Sequence, residues 1–317
     1  MKTARKAGSK YLFEEKNIFE PIGFLESKIT LLDKAMGGGL PFGRFSSISG
    51  LPGVGKSSLG WLYVSRYLQE EEGMVYYFES EGKPPAASYI FDVFGITDFK
   101  KIEYKRYNFL EEVLNRCEEI TFSLDKGFIF IDSIAAFGLD PGDSTIKDYS
   151  RVGGVASKWT QFMQRGIFRV LSEKRMIFLG INQLRETISM GMGGMHEPGG
   201  QALHYSSSLE LRLNRGNWIK DHKKEVIGQQ VDIVVQRNMF NSPLKRVENI
   251  PFYFKYGFHN IENIIYTAVN KELISYTSSG GWYKLNGENM RIDQAVEYYK
   301  AHPAELEEIV NKIYQEE

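Results

Sequence analysis

The stretch Gly50-Leu51-Pro52-Gly53-Val54-Gly55-Lys56-Ser57 restricts the folds open to this chain more than any other. It fits the phosphate-loop pattern, in which two glycines bracket four residues and are followed by Lys and Ser or Thr. Glycine lets the backbone curl until successive amides, here from about Gly53 through Val54 and Gly55 to Ser58, point at phosphate oxygens. Lys56 adds a mobile positive charge, and the Ser57 hydroxyl is suited to hold Mg2+. Pro52 has no amide to offer, but it precedes the cradle. Such a loop belongs between a strand and a helix, and both flanks comply. FSSIS reads as a strand before it, and SSLGWLYVSRYLQEE as an amphipathic helix after it. The motif therefore calls for an α/β fold that binds a nucleoside triphosphate.

The rest of the chain repeats that alternation. MVYYFES precedes the helical PPAASYIFDVFG, FIFIDS precedes a long helical stretch from about Val155 to Leu171, and MIFLGINQ follows. Strands and helices at this spacing argue for a mostly parallel sheet covered on both faces, and near-continuous apolar runs such as GFIFID agree. Beyond Ser206, SSSLELRL, EVIGQQVDIVVQR and IPFYFKYG alternate like strands that extend the sheet. From about Asn260 the character changes to short helices and a small β segment, GGWYKLNGENM, ending in a helix with Pro303 near its first turn. The expected division is an N-terminal arm over residues 1–21, an ATPase core over 22–259 and a small C-terminal α/β domain over 260–317.

At 317 residues, with 42% hydrophobic and 25% charged side chains, the chain can bury a large core. A net charge of -1 means that any nucleic-acid site must be a local basic patch. The single cysteine, Cys117, lies in the helix-like LEEVLNRCEEI and reads as a packing residue. The basic start, MKTARKAGSKYLFEE, lacks the apolar run of a signal peptide, and no later segment resembles a membrane span, so a soluble, cytoplasmic protein is expected.

Hydrolysis needs carboxylates near the phosphate loop. Asp132 ends the apolar strand FIFIDS, where a second strand of such a fold presents an acid to the magnesium shell. Glu81, just past VYYFES, is the best candidate to orient and deprotonate water, with Glu79 one alternation earlier as its competitor. Gln183 ends the strand MIFLGIN and is placed to hydrogen-bond a terminal phosphate. It leads straight into ETISMGMGGMHEPGG, a loop whose Met190, Met192 and Met195 are too much apolar surface for a plain connector.

The stretches GGGLPFGRFSSISGLPGVGKSSL, YYFESEG, FIFIDSIAA, INQLR, EPGGQALHYSSSLELRL and KELISYTSSGGWYKLNGENM resemble the bacterial RecA family, including phage recombinases of the UvsX kind. They occur in the family's order from about Ile22 to Tyr314. The resemblance implies an ATP-dependent recombinase that forms a helical filament on single-stranded DNA and exchanges strands with homologous duplex DNA. It assigns Lys56 and Ser57 to phosphate and magnesium, Glu81 to water activation, and Gln183 to the switch between ATP and DNA. Tyr89 is matched to the aromatic that stacks on adenine, though its spacing from Glu81 differs. Leu139 to Val152 becomes the first DNA-binding loop and Leu184 to Gly199 the second.

Filaments of this kind stretch DNA by inserting an apolar side chain between base steps, and unstacked bases gain from apolar contact. Where the family carries an aromatic tip in the second loop, this chain has Met190, Met192 and Met195, flexible and polarizable enough to act as the wedge. Arg185, Lys158 and Arg165 are the cations expected on DNA phosphates. The partners implied are single-stranded DNA, duplex DNA and further copies of the chain, with a loading mediator and a single-strand-binding protein beyond them.

Two departures from the family's pattern stand out. A pair of lysines that reaches the neighbour's ATP is replaced, in VVQRNMFNSP, by Arg237 and Met239, so one cation is missing. The acidic tail of many relatives is reduced to Glu316 and Glu317, so autoinhibition by a tail is not expected, while the arm is expected to pack on a neighbouring protomer. The rival readings are a ring helicase of the same superfamily and a regulatory paralogue that binds ATP and DNA without exchanging strands.

Overall fold

The computed structural model describes residues 20–140, 154–187, 194–196, 200–242, 245–277 and 281–315. Its main sheet has nine strands: β1 (Arg44–Gly50), β2 (Val75–Glu79), β3 (Ile102–Tyr104), β4 (Lys126–Asp132), β5 (Arg175–Gln183), β6 (Leu209–Lys220), β7 (Val226–Asn238), β8 (Arg246–Tyr253) and β9 (Gly257–Phe258). In space they run β9-β8-β7-β6-β1-β5-β4-β2-β3. From β6 to β3 every pairing is parallel, whereas β7, β8 and β9 extend the sheet in antiparallel fashion. This is the mostly parallel α/β core expected from the alternation, and its order agrees with the RecA-like core that the resemblance implies.

Successive side chains of a strand point to opposite faces, and here both faces are dry. Phe128 and Phe130 of β4 join one buried cluster with Val75, Tyr77, Ile177 and Leu179, while Ile129 and Ile131 join the other with Tyr76, Phe78, Met176 and Phe178. The first cluster is covered by the helix Lys56–Glu70, and the second by the helices Leu110–Ser123 and Gly154–Gln164. Cys117 is fully buried in the second cluster, and burial pushes its thiol well above the ordinary range, as befits a packing residue.

The helix after the phosphate loop lies close on the sheet because residue 60 is glycine. A Cβ there would meet the Phe130 ring at 2.3 Å. Gly60→Ala is therefore expected to destabilise the fold by about 1–3 kcal/mol through overpacking, despite alanine's better helix propensity. Thermal unfolding of the two proteins checks this, and an unchanged midpoint would contradict the packing argument.

Two local features differ from the sequence-based expectation. The helical stretch from Val155 to Leu171 is two helices, Gly154–Gln164 and Ile167–Leu171, divided at Gly166, whose φ of 77° lies in the left-handed region. The short strand β3 had no recognisable pattern. After β9 come the helix Asn260–Asn270, a three-stranded sheet (Ser275–Thr277, Trp282–Leu285, Glu288–Met290) and the helices Ile292–Ala301 and Pro303–Gln315. Ile264, Ala268, Val296 and Val310 from this part continue the first core cluster. Among the described residues no helix is long and apolar enough to cross a membrane.

Candidate active site

Ligands of open parallel sheets bind at the carboxyl ends of the strands, and the register of this sheet gathers the expected residues there. Gly50 of β1 pairs with Gln183 of β5, Asp132 of β4 with Ile181 of β5, and Glu79 of β2 with Asp132. The loop then turns through Gly55, whose φ of 100° suits glycine, into a helix that begins at Lys56. That helix N-terminus directs its unpaired amides and the positive end of its dipole into the loop, which makes an anion site.

Lys56 is buried, and its Nζ donates to the carbonyls of Gly50 at 3.0 Å and Leu51 at 2.9 Å. Burial lowers the pKa of its ammonium, while Asp132 and Glu81 act against that shift. Ser57 is exposed at the helix start, beside the partly buried Ser58. Its hydroxyl hydrogen-bonds to Asp132, whose carboxyl is pushed up to about 6 chiefly by burial. The Ser57 bond and the Lys56 charge oppose that rise, and the nearby Glu81 and Glu79 add to it. Ser57 and Asp132 thus present two hard oxygens side by side, as a magnesium ion prefers. Among the described residues no cluster of three or more His, Cys, Asp or Glu could hold a metal by itself.

The two competing glutamates have different environments. Glu79 is buried, and its carboxylate accepts hydrogen bonds from the amides of Glu81 at 2.6 Å and Gly82 at 2.8 Å. It shapes the turn. Glu81 is exposed, and its Oε1 accepts from Gln183 Nε2 at 2.6 Å. The turn is held further by Ser80, whose amide donates to the Asp132 carbonyl and whose Oγ accepts from the Ser133 amide, and by Arg106, which donates to the Gly82 carbonyl. The Asp132-Ser133 peptide is cis.

Matches outside this chain agree with the geometry. The family model of the RecA N-terminal domain fits residues 8–259. The chain belongs to the RecA family. It is similar to the RecA protein of Lactobacillus johnsonii, with 28% identity over 305 residues that cover 92% of this chain and 80% of that one. RecA of Aquifex pyrophilus is 29% identical over 290 residues, covering 89% and 80%, and RecA of Staphylococcus carnosus 26% over 299 residues, covering 93% and 81%.

Other residues expected in this RecA-family site are placed as follows. Tyr89 lies half-buried on the helix Ala87–Phe94, packed against the core with its ring edge-to-face on Phe94, centroids 5.8 Å apart. Arg237, near the end of β7, donates to the His204 carbonyl at 3.0 Å, and Met239 beside it is 63% exposed. Lys158 pairs with Glu111 at 3.0 Å, and Arg165 pairs with Glu118 and hydrogen-bonds Asn115. Both cations are thus paired with carboxylates of the helix Leu110–Ser123.

The strands that end at the site also lead to the two expected loops. Of the first, Leu139 and Asp140 are described and residues 141–153 lie outside the described residues. The second opens as a two-stranded hairpin, with Arg185 opposite His196 and Glu186 opposite Met195, while Met190 and Met192 lie outside the described residues. The helices that follow the two loops are joined, since Trp159 Nε1 donates to Ser206 Oγ at 2.9 Å. Two residues with no motif to announce them also reach the phosphate loop: Arg215 donates to the Pro52 carbonyl at 3.3 Å and Gln229 to the Gly53 carbonyl at 3.1 Å.

Proposed function

We propose that this RecA-type recombinase binds and hydrolyses ATP with Mg2+, and couples that cycle to a filament on single-stranded DNA that exchanges strands with homologous duplex. The observation that carries this is the bond between Glu81 and Gln183. It joins the carboxylate best placed to activate water to the residue that begins the second loop, so that each can report the state of the other.

In this reading the loop amides and Lys56 hold the phosphates, and Glu81 takes the proton of the attacking water. Ser57 and Asp132 hold Mg2+, which when bound neutralises charge on the phosphate oxygens. A terminal phosphate offers Gln183 a new acceptor; when Gln183 turns to it, Glu81 is released for water and the hairpin at Arg185 shifts with the strand end. Tyr89 is assigned to the adenine end and Arg237 to a neighbour's nucleotide. Residues 1–21 are assigned to the neighbouring protomer, 22–259 to the ATPase core and 260–317 to a C-terminal domain. Met190, Met192 and Met195 supply the wedge between bases, and Arg185 a phosphate contact, with Lys158 and Arg165 available only if they leave their carboxylates.

The test is ATP hydrolysis with no DNA, with single-stranded DNA and with duplex, while light scattering follows assembly. Stimulation chiefly by single strands, lost steeply as salt rises, is expected, because DNA affinity of this kind comes from released counterions. Hydrolysis indifferent to DNA, or forked-duplex unwinding by closed rings, would contradict it.

A further inference from the structure

We infer that Arg215 is a second phosphate cation of this site, supplied by the protomer's own sheet, which grips the terminal phosphate of a bound nucleoside triphosphate. The inference rests on the ATP assignment above. It begins with register. β6 runs parallel to β1 with Leu213 opposite Gly50, so Arg215, two residues further on, emerges over the phosphate loop at the same edge of the sheet. A bulge between Arg215 and Trp218 re-aims the strand at that point.

The orientation of Lys56 tells which end of the loop this is. A phosphate-loop lysine reaches the β and γ phosphates. Here its Nζ rests on the carbonyls of Gly50 and Leu51, so the entry half of the loop is the terminal-phosphate end. Arg215 Nη2 sits 3.3 Å from the next carbonyl, that of Pro52, and a Cβ on Gly53 would come within 2.8 Å of the same nitrogen. Glycine at position 53 leaves the space in which the guanidinium lies.

The present contacts of Arg215 are exchangeable. They are a long bond to a neutral carbonyl and the face of Trp218, 4.8 Å from the guanidinium carbon, and Trp218 is itself 47% exposed. Arg165, Arg175 and Arg246 are by contrast paired with carboxylates. A phosphate offers a guanidinium two charged acceptors in a matching fork, which a single carbonyl does not. The steady brace on the loop falls instead to Gln229, 2% exposed, which holds the Gly53 carbonyl from β7. Arg215 is therefore free to move from Pro52 to phosphate without the loop losing its support, and Trp218 is left uncovered when it does.

The test compares binding of ATPγS and of ADP to the full-length chain and its Arg215→Ala and Arg215→Lys variants, with Trp218 emission isolated by subtracting a Trp218→Phe variant. Arg215→Ala is expected to weaken ATPγS about tenfold to a hundredfold and ADP less than about twofold, as for loss of one charge-assisted bond to the terminal phosphate, with Arg215→Lys between. ATPγS, but not ADP, should change the Trp218 signal, and the change should vanish in Arg215→Ala. Equal losses for both nucleotides would make Arg215 a passive brace and overturn the inference, as would no loss for either. A wild-type chain that bound neither nucleotide would instead overturn the ATP assignment beneath it. Thermal unfolding shows whether Arg215→Ala is folded, and Arg215→Lys keeps the comparison open if it is not.

Discussion

A Glu81→Gln chain should bind ATP as the parent does and hydrolyse it about a hundred- to ten-thousandfold more slowly, the usual range for loss of a general base. The substitution keeps the size of the side chain and a hydrogen-bonding oxygen facing Gln183, but removes the group that can take a proton. The neighbouring Glu79 cannot take over, because both of its oxygens already hold the amides of the turn and the residue is buried. Single-turnover hydrolysis alongside equilibrium nucleotide binding checks this. Turnover within a few-fold of the parent would remove Glu81 from the chemistry, and parallel loss of binding and turnover would make it a positioning residue only. DNA binding gives a further readout. If Glu81 and Gln183 release each other when ATP arrives, the variant should hold single-stranded DNA with ATP for longer than the parent, since the nucleotide that sustains the DNA-bound state is no longer consumed.

The choice between Glu79 and Glu81 also shows where sequence reasoning stops. Two carboxylates at alternate positions after an apolar strand carry the same local signal, and only the turn after Glu79 decides which is spent on backbone amides. The phosphate loop was legible because its function needs a short, contiguous run of backbone geometry, which only certain residues adopt. The sheet was legible because alternate residues such as Phe128 and Ile129 feed two separate buried clusters, which demands unbroken apolar strands. Arg215 and Gln229 were not, because their reach to the loop depends on the long-range pairing of β6 with β1 and β7. The same holds for the ion pairs of Lys158 and Arg165, whose carboxylate partners lie some fifty residues earlier on another helix.

Lys56→Ala is expected to separate binding from stability in opposite directions. With ATP, the loss should be severe, about a hundredfold or more in affinity, because in the proposed ATP site the desolvated lysine is the loop's cation for the β and γ phosphates and its charge-assisted bonds have no substitute within the loop. Without nucleotide the variant should unfold at the same temperature as the parent or a higher one. Among the described residues, Lys56 is only 7% exposed and donates to the neutral carbonyls of Gly50 and Leu51, with Asp132 and Glu81 acting on it at a distance. A buried charge in that position costs desolvation free energy that neutral acceptors offset incompletely, which is why burial lowers its pKa. Alanine removes that cost, and water can reach the Leu51 carbonyl at the exposed rim of the loop. Thermal unfolding of parent and variant, each with and without Mg-ATP, distinguishes the cases. Ligand should raise the parent's midpoint strongly and the variant's little, since stabilisation follows the logarithm of ligand concentration over Kd. A large drop in the variant's unliganded midpoint would show that Lys56 holds the empty loop together, and the site would then be stabilised by its lysine before any phosphate arrives.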